Sequence, residues 1–186
     1  DATYIIIPNE VMEMGCLLPY SGNAYFPASL SEPMSCIVGA FHASYHTKPG
    51  SYNHDMDIRE NGHMVFLAGA GPMGLGAIEY AIRRNRRPQK LVVTDIDDAR
   101  MAQAEHIFPP DRVKAQTGVD LHFVNTKYFD NPVEKILSLA DQKGFDDVFV
   151  FAPVKQLVEQ GDALLARDGC LNFFAGPTKP DFKASF

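Results

Sequence analysis

The residues GAGPMG at 69–74 set three glycines in a GxGxxG spacing, directly after the apolar run MVFL and at the head of a helical pattern. Such a turn can cradle the pyrophosphate of a dinucleotide. Gly69 would permit the tight turn, Gly71 would let backbone approach the phosphates, and Gly74 would let the helix pack closely on the strand. Pro72 suits a first helical position, and the helix beginning there would direct N–H groups and its positive dipole end at the anion. The same spacing also occurs in strand-to-helix turns that hold no ligand. Asp95 ends the next β-rich run, LVVTD, where a carboxylate can accept both ribose hydroxyls of an adenosine. It would also repel a 2′-phosphate, and with Asp97 and Asp98 beside it this favours NAD over NADP. Without a ligand, Asp95 would be a helix cap or turn residue. Arg100 either stacks over adenine or lies on a solvated helix face.

A glycine loop followed by an acidic strand end also serves proteins that bind S-adenosylmethionine, so a methyltransferase is a rival reading. Pro72 and Met73, following Gly71 directly, fit a pyrophosphate turn better. Glu32-Pro33 reads locally as the distal half of a capping box, SLSE from Ser29 to Glu32, with proline in the first turn. The six histidines, 42, 46, 54, 63, 106 and 122, form no HExxH or His/Cys grouping with metal-ligand spacing, and His42 reads as a packing or capping residue. Neither a serine elbow nor a Cys/His pairing is present, so no catalytic residue is assigned.

These residues need a scaffold, and the chain has the rhythm of one. Strands are expected at 64–69, 91–95, 121–125, 147–152 and 170–175, with helices at 72–85, 97–107, 131–143 and 154–167. The runs at 64–69 and 147–152 are almost continuously apolar, as in strands covered on both faces. The alternation predicts an α/β fold, a doubly wound parallel sheet with right-handed crossovers and the ligand at the carboxyl ends of the strands. Ahead of it, residues 1–28 read as an entry arm with one β-like run at Thr3–Pro8. The spacing of Met34, Ile37, Val38 and Phe41 predicts a helix from Ser29 to about His46, and the polar stretch 47–62 reads as a loop.

Bulk properties narrow the class. The chain has 186 residues, enough for one substantial domain, and no apolar run long enough to span a bilayer. Its net charge of -6 argues against a nucleic-acid partner. The basic run RRNRRPQK at 83–90 falls where a helix should end, and its cations read as solvated complements of the helix dipole. Three widely spaced cysteines suit a reducing cytoplasm better than a disulfide framework.

Taken together, YIIIP, SLSEPMSCIVGAFHA, VFLAGAGPMGLGAIEYA, LVVTDIDDARMAQA and LARDGCLNFFAGP resemble the zinc-type medium-chain dehydrogenase/reductase family over nearly the whole chain. The likeness is to the sorbitol-type polyol dehydrogenases, and the divergent segments look like the L-sorbose 1-phosphate reductase branch. The resemblance implies a Rossmann domain that binds NAD. It implies that Glu32 faces a catalytic zinc in the intact enzyme, that Pro72 and Met73 form the backbone turn under the pyrophosphate, and that Asp95 is the ribose carboxylate, with Arg100 the basic residue after it. Phe151 and Ala152, ending the fourth strand, and Ala175 and Gly176, ending the fifth, would lie near the nicotinamide ribose and carboxamide.

The departures carry expectations too. The family's other zinc ligands belong to a GroES-like domain that has no counterpart here, and the segment after the fifth strand is missing. The chain begins at Asp1 rather than Met, which suggests the cofactor half of a longer enzyme. The expected division is an arm at 1–28 leaving the missing domain, a linking helix and loop at 29–62, and the dinucleotide-binding domain at 63–186. The intact enzyme would be a cytoplasmic homo-oligomer acting on a small polyol or sugar phosphate. This chain alone would bind cofactor without turning substrate over. A noncatalytic NAD-sensing module is the remaining alternative.

Overall fold

The computed structural model describes residues 4–177 and 180–185. The chain divides into two units, Asp1–Glu32 and Pro33–Phe186. In the first, α1 spans Asn9–Glu13 and α2 spans Phe26–Ser29, and neither has a buried residue. The β-like run expected there is not a strand: Tyr4–Pro8 is irregular, and Thr3 lies outside the described residues. Branched apolar residues favour a strand only where a neighbour takes up the backbone hydrogen bonds. Ser29 ends α2, with its hydroxyl donating to the Phe26 carbonyl at 2.7 Å, so a second short helix precedes the one expected to start there.

Helix α3, Ser31–Ala43, stops three residues short of its expected end. Tyr45–His46 instead forms β1, antiparallel to β2 at Asp55–Met56, so the expected loop at 47–62 contains a strand. The main sheet follows. Its elements are β3 (His63–Leu67), α4 (Pro72–Arg83), β4 (Lys90–Asp95), α5 (Asp98–Ile107), α6 (Pro110–Thr117), β5 (Asp120–Asn125), α7 (Pro132–Ser138), β6 (Phe145–Val150), α8 (Lys155–Leu164) and β7 (Leu165–Asn172). The five strands are parallel, in the order β5-β4-β3-β6-β7. This is the expected doubly wound α/β sheet. The winding reverses between β3 and β6, which puts the switch point at the carboxyl end of β3.

The central strand shows why it is apolar throughout. Met64 and Phe66 join Ile37, Phe41, Ile78, Ile82 and Val93 in the core on one face, while Val65 and Leu67 join Val92, Ile136, Val148 and Val158 on the other. Side chains alternate across a strand, so a sheet covered on both sides has no face for polar residues. Each fully buried side chain of this size contributes about 1.5–3 kcal/mol.

Two elements differ from expectation. Helix α6 was not foreseen because PDRVKAQT has a single buried residue, Val113, and hence no apolar stripe. Its proline at the start and Gly118 in the left-handed conformation at the end (φ 80°) delimit it instead. Helix α8 ends at Leu164, and β7 begins at once rather than at residue 170. The sequence ARDG looks like a strand breaker, but a shift of register between Phe145 and Asp147 accommodates it, with Asp168 at φ 66°.

That irregularity anchors the segment after α3. His46 is buried, its Nδ1 3.1 Å from the Asp168 carbonyl and its Nε2 3.2 Å from Asp147 Oδ1. Asp147 Oδ2 accepts from the Arg59 backbone N–H, while the Asp168 carboxylate accepts from the Thr47 N–H, the Thr47 hydroxyl and the Arg59 guanidinium. The basic run contributes too and is not simply solvated. Arg84 pairs with Asp57 and lies over the rings of Phe41 and Tyr80, and Arg86 pairs with Asp55. These contacts hold 46–59 to the sheet far from the strand ends that form the cleft.

Both nitrogens of His46 face oxygen atoms, so the pair satisfies both bonds only by holding an extra proton, on the imidazole or on Asp147. Burial alone would push His46 down, but the bond to Asp147, the charge of Asp147 and the Asp168 carbonyl together raise its pKa above the ordinary value. Burial likewise pushes the Asp147 carboxyl up against the pull of His46 and the Arg59 N–H. Because the folded histidine binds its proton more tightly than the unfolded one, the stabilisation is complete below about pH 6.5 and is lost as pH rises through the folded pKa. Urea midpoints should therefore fall from pH 6 towards pH 9. His46→Gln, which cannot take up the proton, should flatten that slope and cost about 3–5 kcal/mol at pH 6. A wild-type midpoint that stays constant over this range would contradict proton retention by the pair.

Candidate functional site

The carboxyl ends of β3, β4 and β6 surround a cleft of about 440 Å³. Its floor is the turn from β3 into α4. In that turn the left-handed residue is Ala68, at φ 54°, one residue before Gly69. An L-residue held there costs roughly 1–2 kcal/mol, the kind of strain that packing must sustain. The three glycines differ in why they lack a side chain. A Cβ on Gly69 would come within 2.6 Å of Phe66 Cβ, so that glycine is required by packing against the strands themselves, whereas one on Gly74 would run into the Gly69 carbonyl, so that glycine is required by the close approach of α4 to the turn. Gly71 is different. Its backbone is extended (φ -80°, ψ 176°), which any residue adopts, and a Cβ there would meet nothing nearer than Arg100 Nη1 at 3.9 Å. The fold does not need a glycine at 71; the cleft does, if it is to stay open.

Gly71 is also the N-cap of α4, and no side chain caps that helix, which opens with Pro72. The first-turn N–H groups and the positive helix end therefore face the cleft beside the Arg100 guanidinium. On the neighbouring strand, Asp95 is buried at 6% exposure, with Oδ2 accepting from the Ala70 N–H at 3.2 Å and Oδ1 from the N–H groups of Ile96 at 2.8 Å and Asp97 at 3.2 Å. A carboxylate offers about four acceptor positions, so Oδ2, with one of these three bonds, retains capacity for a further donor. Asp97, and not Asp95, caps α5, accepting from the N–H groups of Ala99 and Arg100.

Of the residues expected at the site, Gly71, Pro72, Met73, Gly74, Asp95, Arg100, Phe151 and Ala152 line this one cleft. Gly69 lies behind the turn. Ala175 and Gly176 do not line it: Ala175 N–H donates to the Val150 carbonyl at 3.1 Å, beside the end of β6, and Gly176 adopts φ 62°. Glu32 belongs to the first unit. Sequence reading passed over Ala68, Thr94, Ile96, Thr126, Val154, Gln156 and Leu157, which complete the wall. Ala68, Ile96 and Thr126 sit just past strand ends, and the rule that ligands gather there would have found them.

Among the described residues no group of three or more His, Cys, Asp or Glu side chains is placed to hold a metal ion, and no helix is long and apolar enough to cross a membrane. The described residues by themselves thus do not assemble a zinc centre.

The chain is 55% identical over its whole length to mannitol-1-phosphate 5-dehydrogenase of Aliivibrio fischeri, spanning 44% of that protein. It is 45% identical over 99% of its length to L-sorbose 1-phosphate reductase of Klebsiella pneumoniae, spanning 43% of it. The chain therefore covers less than half the length of these relatives. The crystal structure of galactitol-1-phosphate dehydrogenase from Escherichia coli superposes with a TM-score of 0.57 at 20% identity, over 81% of this chain and 36% of that one, and so shares the fold. No protein-family model matches the chain.

The two kinds of glycine are separable by experiment. In thermal melts Gly74→Ala should lower Tm by about 6 °C or more, from an overpacking cost of about 2–3 kcal/mol. Gly71→Ala should leave Tm within about 2 °C of wild type. Equal losses would mean that Gly71 is held by packing after all.

Proposed function

We propose, for a chain that belongs to the zinc-type medium-chain dehydrogenase/reductase family, that the cleft binds the nicotinamide dinucleotide of a polyol or sugar-phosphate dehydrogenase, NAD in preference to NADP. The observation that carries this is Gly71, a glycine with ordinary backbone angles whose missing side chain leaves the uncapped start of α4 open. In this reading the pyrophosphate lies on the N–H groups that follow Pro72, with Arg100 as its cation rather than a plate for adenine. Asp95 takes a ribose hydroxyl on Oδ2. Phe151 and Ala152 carry the cleft towards the nicotinamide, with Ala175 and Gly176 beyond them at the next strand end. Domain boundaries follow the same reading: an arm over 1–28, a linking segment over 29–62 and the cofactor domain over 63–186.

The bound cofactor supplies hydride transfer between nicotinamide C4 and a hydroxyl or keto carbon. This chain contributes the binding and orientation. Zinc, for which the family resemblance offers Glu32, belongs in this reading to the longer protein, which supplies the further ligands. The relatives' names support a small phosphorylated sugar or polyol as its substrate. A cytoplasmic, homo-oligomeric enzyme with no membrane or nucleic-acid partner fits the same picture.

An NADH fluorescence titration tests the reading directly. Saturable binding is expected, weakened about tenfold or more in Asp95→Asn, whose amide oxygen can retain backbone bonds while losing the charge. Gly71→Val should abolish binding without unfolding the protein. Absence of binding at millimolar NADH and NADPH would sink the proposal, and S-adenosylmethionine displacing the NADH signal would point to a methyltransferase instead.

A further inference from the structure

Resting on that cofactor reading, the corner between β4 and β5 holds a cation that sequence analysis passed over. Asp98 opens α5 and gathers three donors from the end of β5 and the turn after it: Asn125 Nδ2 at 2.6 Å and the Tyr128 hydroxyl at 2.8 Å on Oδ1, and Lys127 Nζ at 2.8 Å on Oδ2. The Lys127 ammonium also lies 5.2 Å from the centre of the Tyr128 ring. Bonds from Lys127 and Tyr128 hold the Asp98 carboxyl below the usual carboxylate range. The residue before Lys127 is Thr126, which lines the cleft with Asp95 and Ile96 and whose hydroxyl donates to the Asp95 carbonyl at 3.4 Å. Lys127 thus stands next to the wall on the ribose side.

The charged side chains of this corner are the carboxylates of Asp95, Asp97 and Asp98 and the cations Arg100 and Lys127, of which Asp95 and Arg100 line the cleft itself. Arg100 lies against Gly71, at the pyrophosphate end, and Lys127 is engaged by Asp98. With Arg100 serving the pyrophosphate in the cofactor reading, a 2′-phosphate would meet Asp95 without a cation of its own. We propose that Asp98 is a specificity-determining positioning residue, which excludes NADP by holding Lys127 away from the ribose. Selectivity is a difference between affinities, and a sequestered cation contributes to it as surely as a repulsive anion.

The test compares dissociation constants for NADPH and NADH in wild type, Asp98→Asn, Lys127→Met and the double variant. Asp98→Asn should improve NADPH binding relative to NADH by about tenfold, with NADH binding itself changed less than about twofold. Lys127→Met should leave the wild-type preference unaltered, and adding it to Asp98→Asn should restore that preference. An unchanged ratio in Asp98→Asn overturns the proposal, as does a gain that survives in the double variant, because the effect would then be bulk charge rather than Lys127. A merely structural role for Asp98 would weaken both cofactors together. Failure of wild type to bind either cofactor would instead defeat the cofactor reading itself.

Discussion

The backbone contact between Gly69 and Gly74 is the constraint on which the cleft depends. With no Cβ on Gly74, the first turn of α4 rests against the Gly69 backbone in the turn that leaves β3. That approach aims the start of the helix across the carboxyl ends of β3, β4 and β6, and it brings Ala70 within reach of Asp95 on the next strand. A methyl group at position 74 would push the helix outward and break this alignment. The strain at Ala68 is a consequence of the same geometry: the chain must turn sharply at the end of a fully buried strand, and the packing around it holds an alanine where a glycine would be easier.

Charge is partitioned between the two ends of the sheet. At the carboxyl ends, an uncapped helix start and Arg100 supply the positive side of the cleft, while Asp95, tied to three backbone N–H groups, supplies the negative side. Nearer the amino ends, His46, Asp147, Arg59 and Asp168 form a hydrogen-bonded network that joins the segment after α3 to β6 and β7. The first arrangement leaves polar groups directed into open space, whereas the second directs most of its polar groups at one another within the protein. That contrast distinguishes a binding surface from a structural clamp even though both are built from the same residue types.

Much of the fold was legible because its signals are local. The apolar run before GAGPMG, the alternation of strands and helices and the Gly-to-Asp spacing reflect covered strands and crossover lengths, and the five-stranded parallel sheet follows from them. Elements whose stability comes from distant partners were not legible. Helix α6 has almost no apolar stripe, β7 starts early through a bulge opposite β6, and β1 pairs with β2 across the intervening residues 47–54. The arginines at 84 and 86 looked solvated for the same reason, since their carboxylates at 57 and 55 lie far back along the chain.

The sequence by itself determined the sheet, the glycine turn and the position of Asp95 at a strand end, because apolar periodicity and missing side chains act over a few residues. Only the tertiary structure decided which glycine the cleft needs, that Ala68 takes the strained turn, that Asp97 rather than Asp95 caps α5, and that Asp98 holds Lys127. Each of these depends on which atoms meet across elements, and close packing and hydrogen-bond geometry settle that only once the strands are in register.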